Sequence, residues 1–261
     1  MCQPIPLLSN IHVPAYRKLG LCLLIIGLVL TSACSRERYT ELMSAAHDGA
    51  NKSVTRALDA GVDVNEQSSQ GKTALMLAAS NGHTGTVKLL IDHGADVKLQ
   101  DSFGTTALIV AATAGKTETT ILLLKNGADP LHKDSSGGSA LSNATYFGHT
   151  DTVQALLDNI GILSRDDGEE LMMLAAGLGH LDIAKALLAK GISTNAVGAK
   201  GHTALMAAIQ FEKPEMVKLL LEHGADPGRK DDEGDSAQML AEKKGNKMLL
   251  QLLQPVTPAK Q

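Results

Sequence analysis

The chain has 261 residues, 44% of them apolar, which is room for one large domain or two small ones. Three Phe, three Tyr and no Trp exclude a conventional core built on large rings, so thin layers of close-packed Leu, Val, Met and Ala are expected instead. A formal charge of −4, from 24 basic and 28 acidic residues, argues against a broad nucleic-acid surface, which needs clustered Lys and Arg to neutralise phosphates.

In chain order, the first element is an apolar run from Leu19 to Leu30, preceded by Arg17 and Lys18 and followed by Thr31, Ser32, Ala33 and Cys34. A positive flank, a short apolar run and small residues at its end describe a secretory signal peptide over residues 1–33. Leu19 to Cys34 falls short of the roughly 20 residues a membrane span needs, although an uncleaved anchor and a core cysteine are the alternatives. The motif Leu30-Thr31-Ser32-Ala33-Cys34 resembles a bacterial lipobox, with Thr31 where Leu is commoner. That resemblance implies cleavage before Cys34, lipidation of its thiol, and a tether of residues 34–38 reaching only about 15 Å. Ser35, which is not Asp, resembles the outer-membrane sorting signal of enteric bacteria. The expected location is therefore the bacterial cell envelope, lipid-anchored and facing the periplasm. Cys2, Cys22 and Cys34 are the three cysteines, so no disulfide and no cysteine-based zinc site can form in the main body.

From Tyr39 the chain is periodic. "GKTALMLAASNGHTGTVKLLIDHGAD" at 71–96 returns 33 residues later as "GTTALIVAATAGKTETTILLLKNGAD", and again as "GHTALMAAIQFEKPEMVKLLLEHGAD" at 201–226. Thr40, Thr73, Thr106 and Ser139 keep one register, and Glu170, Thr203 and Ser236 another. Each unit predicts two helices. A Thr or Ser N-caps the first, and pairs such as Ala78-Ala79 let helix axes approach. Val87, Leu89, Leu90 and Ile91 mark the buried side of the second, and Gly94 takes the left-handed position past its end. The pattern resembles the ankyrin repeat in seven copies over residues 39–254, with Ala-Leu-Met where that family has Pro-Leu-His. The resemblance implies an all-α ankyrin-repeat solenoid, in which no unit buries its apolar face alone. Lys243, Lys244, Asn246, Lys247 and Gln251 read as a water-compatible C-terminal cap, and Asn51, Lys52, Thr55 and Arg56 as its N-terminal counterpart. Residues 255–261 read as a loose tail.

One place breaks register. Ser139 to Glu170 is two residues short, and the segment 158–170 lacks both the "GAD" and the capping Thr. It reads as a harmless loop deletion, or as a specialised finger that a partner recognises.

The search for chemistry finds no catalytic constellation, and the expectation is a chain that is not an enzyme and needs no metal or cofactor. Two Gly-Lys-Thr triplets lack the upstream Gly of a phosphate loop. His83, His149 and His180 follow the mid-repeat Gly, while His93 and His223 can meet the last carbonyls of a helix. Asp166-Asp167 and Asp231-Asp232 are expected on exposed fingers with no pocket around them.

The resemblance also implies that the finger tips and the concave face of the first helices form the partner surface. Phe103 falls on a finger, and Tyr146, Phe147 and Phe211 fall on concave positions, where rings are typical anchors. The acidic stretches "RDDGEE" at 165–170, with Asp166 and Asp167, and "DDEGD" at 231–235, with Asp232 and Glu233, could steer a basic patch. The expected function is a monomeric, lipid-anchored binding module that scaffolds or modulates a periplasmic protein. An immunity-type inhibitor of an envelope toxin and a host-directed effector are the alternatives.

Overall fold

The structure, a computed structural model, describes residues 39–161 and 163–254. The expectations for residues 1–33, Cys34, the tether and the tail at 255–261 lie outside the described residues.

The expected capping hydroxyls do start the first helices. Thr40 accepts the Met43 amide ahead of α1 (Glu41–His47), Thr73 the Met76 amide ahead of α3 (Ala74–Asn81), and Thr106 the Ile109 amide ahead of α5 (Ala107–Thr113). Ser139, Thr203 and Ser236 do the same for α7 (Ala140–Tyr146), α11 (Ala204–Gln210) and α13 (Ala237–Lys244). Each satisfies one backbone donor that a helix start leaves orphaned.

A second helix follows each first one: α2 (Asn51–Asp59), α4 (Thr84–Asp92), α6 (Thr117–Lys125), α8 (Thr150–Asn159), α12 (Pro214–Glu222) and α14 (Lys247–Leu253). The fifth pair is α9 (Arg165–Leu178) with α10 (Leu181–Ala189). The described residues thus hold fourteen α-helices in seven pairs, with no extended strand. First helices pack on neighbouring first helices and second on second, so the core runs as one sheet of side chains between two helical layers. Ala78, Ala79, Val87 and Leu90 are buried in it, whereas Leu89 and Ile91 are half-buried.

Short hairpins, the fingers, join successive pairs. In four of them an Asp or Ser side chain folds the loop by accepting amides two and four residues on. Ser68 Oγ accepts Gln70 and Lys72, Asp101 Oδ1 accepts Phe103 and Thr105, and Asp231 Oδ1 accepts Glu233 and Asp235. Asp134 does the same for Ser136 and Gly138 in the third. The fingers then pair. The Ser102 amide donates to the Gln70 carbonyl at 2.9 Å and the Ser135 amide to the Phe103 carbonyl at 2.8 Å. The pairing resumes with the Asp232 amide on the Lys200 carbonyl at 3.0 Å. Gly71 makes this close approach possible, because a Cβ there would sit 2.9 Å from the Asp101 Cα and the Ser102 nitrogen.

Where a histidine follows the mid-repeat Gly, it locks its unit to the one before. His83 lies over Gly49, where a Cβ would meet its ring at 2.7 Å, and its Nε2 donates to the His47 carbonyl at 3.0 Å. His149 repeats this over Gly115, with the Thr113 carbonyl as acceptor. His93 and His223 instead turn Nδ1–H onto the Leu89 and Leu219 carbonyls of their own helices, as the chain-order reading expects.

The segment 158–170 departs from expectation. "RDDGEE" is not a finger: it forms the first turns of α9, which runs for 14 residues against 7 in α5 or α7. The capping residue is Ser164, which accepts the Asp167 amide. Gly168 suits this packing, since a Cβ there would meet Ile192 Cδ1 at 2.5 Å. The two missing residues therefore convert a hairpin into a straight helical entry. The C-terminal cap is also more than a polar face. Lys243 pairs with Asp235, Lys244 with Glu212, and Asn246 caps α14, while Met239 and Met248 stand exposed beside them.

Candidate functional site

The candidate ring residues occupy two kinds of position. Phe103 sits at a finger tip, its amide held by Asp101 and its carbonyl by the Ser135 amide, which leaves the ring 46% exposed. A fixed backbone beneath an exposed ring lowers the entropy cost of using that ring as an anchor.

Tyr146, Phe147 and Phe211 lie where first helices end. Tyr146 is the last residue of α7, Phe147 its C-cap, and Phe211 the C-cap of α11, two repeats further on. Tyr146 and Phe147 meet edge-to-face with centroids 5.1 Å apart, a favourable arrangement for ring quadrupoles. His149, held by the Thr113 carbonyl, stacks on Phe147 at 6.1 Å. Tyr146 is half-buried, and that burial pushes its hydroxyl pKa up. Phe147 stays 40% exposed on top of the pair. The sequence reading did not include His149 in this cluster, although its Gly-His position follows Phe147 directly.

The acidic candidates divide. Asp232 and Glu233 are exposed on the last finger, with Glu233 Oε1 3.6 Å from Lys200 Nζ. Their neighbours Asp231 and Asp235 are committed to the loop and to Lys243. Asp166 and Asp167 stand in the first turn of α9, not on a finger, and a negative charge there complements the helix dipole. Asp166 is exposed, whereas Asp167 bridges 2.6 Å to Lys133 in the preceding finger and accepts the Ser164 hydroxyl. Hydrogen bonds from Lys133 and then Ser164 hold the Asp167 carboxyl below its ordinary range, and the same bridge raises Lys133.

Among the described residues no group of three or more His, Cys, Asp or Glu is placed to hold a metal ion, and no helix is long and apolar enough to cross a membrane.

This geometry has close counterparts. The family profile described as ankyrin repeats (3 copies) matches residues 42–134, 130–198 and 172–259. An ankyrin repeat-containing protein of Treponema pallidum (strain Nichols) is 38% identical over 76 residues, which are 29% of this chain and 26% of that protein. An ankyrin repeat-containing protein of Schizosaccharomyces pombe is 36% identical over 70 residues, 27% of this chain and 34% of that one. The chain thus spans no more than about a third of these curated relatives' length. Among solved structures, the human ASB11 ankyrin repeat domain superposes with a TM-score of 0.74 at 27% identity, covering 83% of this chain and 99% of that domain. The Bcl-3 ankyrin repeat domain, from the IkappaB family, gives 0.72 at 25% identity, covering 84% and 99%.

Proposed function

Since the chain belongs to the ankyrin-repeat family, we propose that it is a non-enzymatic protein-binding module, a monomer tethered by lipid at Cys34 to the bacterial envelope. In this reading it faces the periplasm, from the outer membrane, and scaffolds or modulates a protein partner there. The ankyrin fold is typically a binding scaffold, which supports this reading.

The observation that carries the reading is the exposed Phe147 ring on its Tyr146 and His149 supports. Rings held by their neighbours and open to solvent are the usual energetic centres of protein interfaces. Phe103 and Phe211 extend the surface along the array, and Asp232 and Glu233 add negative charge at its far end. The lipobox-like run ending at Cys34 supports the tether, which would keep the first repeat close to the bilayer.

Crosslinking capture from intact envelopes tests both parts. The paired change Tyr146→Ala with Phe147→Ala is expected to abolish recovery of a protein that the parent chain captures, with the helical circular dichroism unchanged. Recovery equal to the parent would remove these rings from the interface. Cys34→Ala is expected to leave the chain unprocessed and to alter its membrane fractionation, and identical processing would end the lipid reading.

A further inference from the structure

Where α9 replaces a finger, a shallow recess opens between the preceding finger and the new helix entry. Leu141 and Leu171, both buried, form its floor, and Pro130, Leu131 and Leu163 line its sides. Leu131 is 51% exposed, the largest such value with Met248 among the described large apolar residues. Lys133, Ser139 and Ser142 supply polar groups from the preceding unit, and Asp167 and Glu170 from α9. Glu170 lines the recess, and Asp166 stands one helical turn before it on the same face. Both are exposed; Glu170 acts on Lys133 and Asp166 on Arg165 through space, while the direct bridges of those cations go to Asp167 and Glu169. Lys133 thus shares the recess with two carboxylates, Asp167 and Glu170, above an apolar floor, with Asp166 one turn away on α9.

We propose that this recess is a second docking site, separate from the rings, that takes an extended segment of a partner protein carrying an aliphatic side chain flanked by Lys or Arg. The aliphatic group fits the leucine-lined floor, and the basic flank meets Asp166 and Glu170. The irregular fifth repeat supplies the acids and, with Leu163 and Leu171, one wall of the apolar half, while Pro130, Leu131 and Leu141 of the fourth supply the other. A regular finger in its place would pair with its neighbour through backbone bonds, as at Ser135 and Phe103, whereas α9 presents side chains. The proposal rests on the protein-binding reading but uses none of the ring residues, so the two can fail separately.

The test is photocrosslinking of the purified full chain, held in lipid nanodiscs, with an extended peptide in which photoreactive leucine lies between two lysines. A matched probe carries two glutamates instead. Adducts are expected on the tryptic fragments that hold Leu131, Leu163 and Leu171. The lysine probe should outperform the glutamate probe by roughly 5-fold for each charge involved, and replacing its leucine by alanine should cut competition by about 10-fold or more. Leu131→Ser, at an exposed position, should lower the yield without loss of helicity. Asp166→Lys with Glu170→Lys should reverse the probe preference, and 1 M salt should erase it, as about 3 Å screening requires. Tyr146→Ala with Phe147→Ala should leave the adducts in place. Equal yields from the two probes, adducts outside the recess, or loss of adducts in the ring variant would each overturn the proposal. Chain-to-chain crosslinks abolished by Leu131→Ser, with no probe adduct, would overturn it in favour of a second copy.

Discussion

Asp167 has two neighbours that favour its negative charge, the Lys133 ammonium and the Ser164 hydroxyl. A carboxyl held below its usual range contributes stability that is present above the unfolded value, about 3.9, and lost as pH falls through the folded one. Lys133 is raised by the same bridge, so its contribution is full below about 10.4 and lost as pH rises through the folded value. The bridge therefore acts between about pH 4 and pH 10, and its partial exposure limits it to about 1 kcal/mol or less. Asp167→Asn is expected to lower the urea midpoint at neutral pH, with the gap to the parent closing near pH 2. A gap that persists undiminished in acid would show that the charge is not the cause. Gly71 gives a second prediction at this scale. Gly71→Ala and Gly127→Ala both force a side chain into φ near +80°, at about 1 kcal/mol. Only Gly71 also meets backbone, at 2.9 Å, so its loss in urea stability should exceed that of Gly127 by about 1–3 kcal/mol.

Among elements, α9 shows what the periodic reading could and could not supply. The 33-residue register correctly marked every other first helix, because a capping hydroxyl and an Ala five residues after it recur at fixed offsets. It took Glu170 as the fifth start, so the preceding "RDDGEE" fell on a finger. A local cue favoured helix: Leu163-Ser164 followed three residues on by Asp167, the pattern of a capped start. Gly168 obscured it, since glycine inside a helix usually signals a turn, and its packing on Ile192 is visible only in three dimensions. Ser164→Ala is expected to cost about 1 kcal/mol. Amide exchange should quicken over Arg165–Gly168 alone, since the long C-terminal part of α9 is buried on α11. Uniform quickening across α9 would refute a purely local cap. The ring positions were legible for a different reason. Tyr146, Phe147 and Phe211 stood out because the repeat does not need rings, whereas the recess beside Leu131 arises from a contact between units that no single repeat displays.

Across the whole array, coupling between units is uneven. The first four are joined by finger-to-finger amide bonds, by His83 and His149, and by hydroxyl contacts such as Thr84 with Thr119 and Thr117 with Thr152, each at 2.8 Å. Between the fourth and fifth, the polar bonds among the described residues are the longer His180 contact with the Tyr146 carbonyl at 3.3 Å and two partly exposed ion pairs, Lys133–Asp167 and Lys190–Asp158. In a linear stack, stability is the sum of unit and neighbour terms, so the weakest junction is where cooperativity breaks first. Urea unfolding is expected in two steps, with residues 39–159 and 165–254 as the separating blocks. Phe147→Trp and Phe211→Trp provide fluorescent reporters on either side, and coincident transitions from both would contradict the division.

The glycine seats under the mid-repeat residues have a consequence for how such an array can change length. Gly49 receives an imidazole and Gly82 receives the methylene stem of Lys116, in the same place one unit along. The seat is therefore indifferent to which of the two arrives. Excision of residues 73–105 would set Lys116 on Gly49 and bring Ser135 to Gln70, with every junction still filled by chemistry already found elsewhere in the chain. The repeats of the first half are in this sense interchangeable modules. Their number can drift through recombination, whereas the fifth, which α9 opens without a matching finger, cannot be copied or dropped without moving the recess beside it.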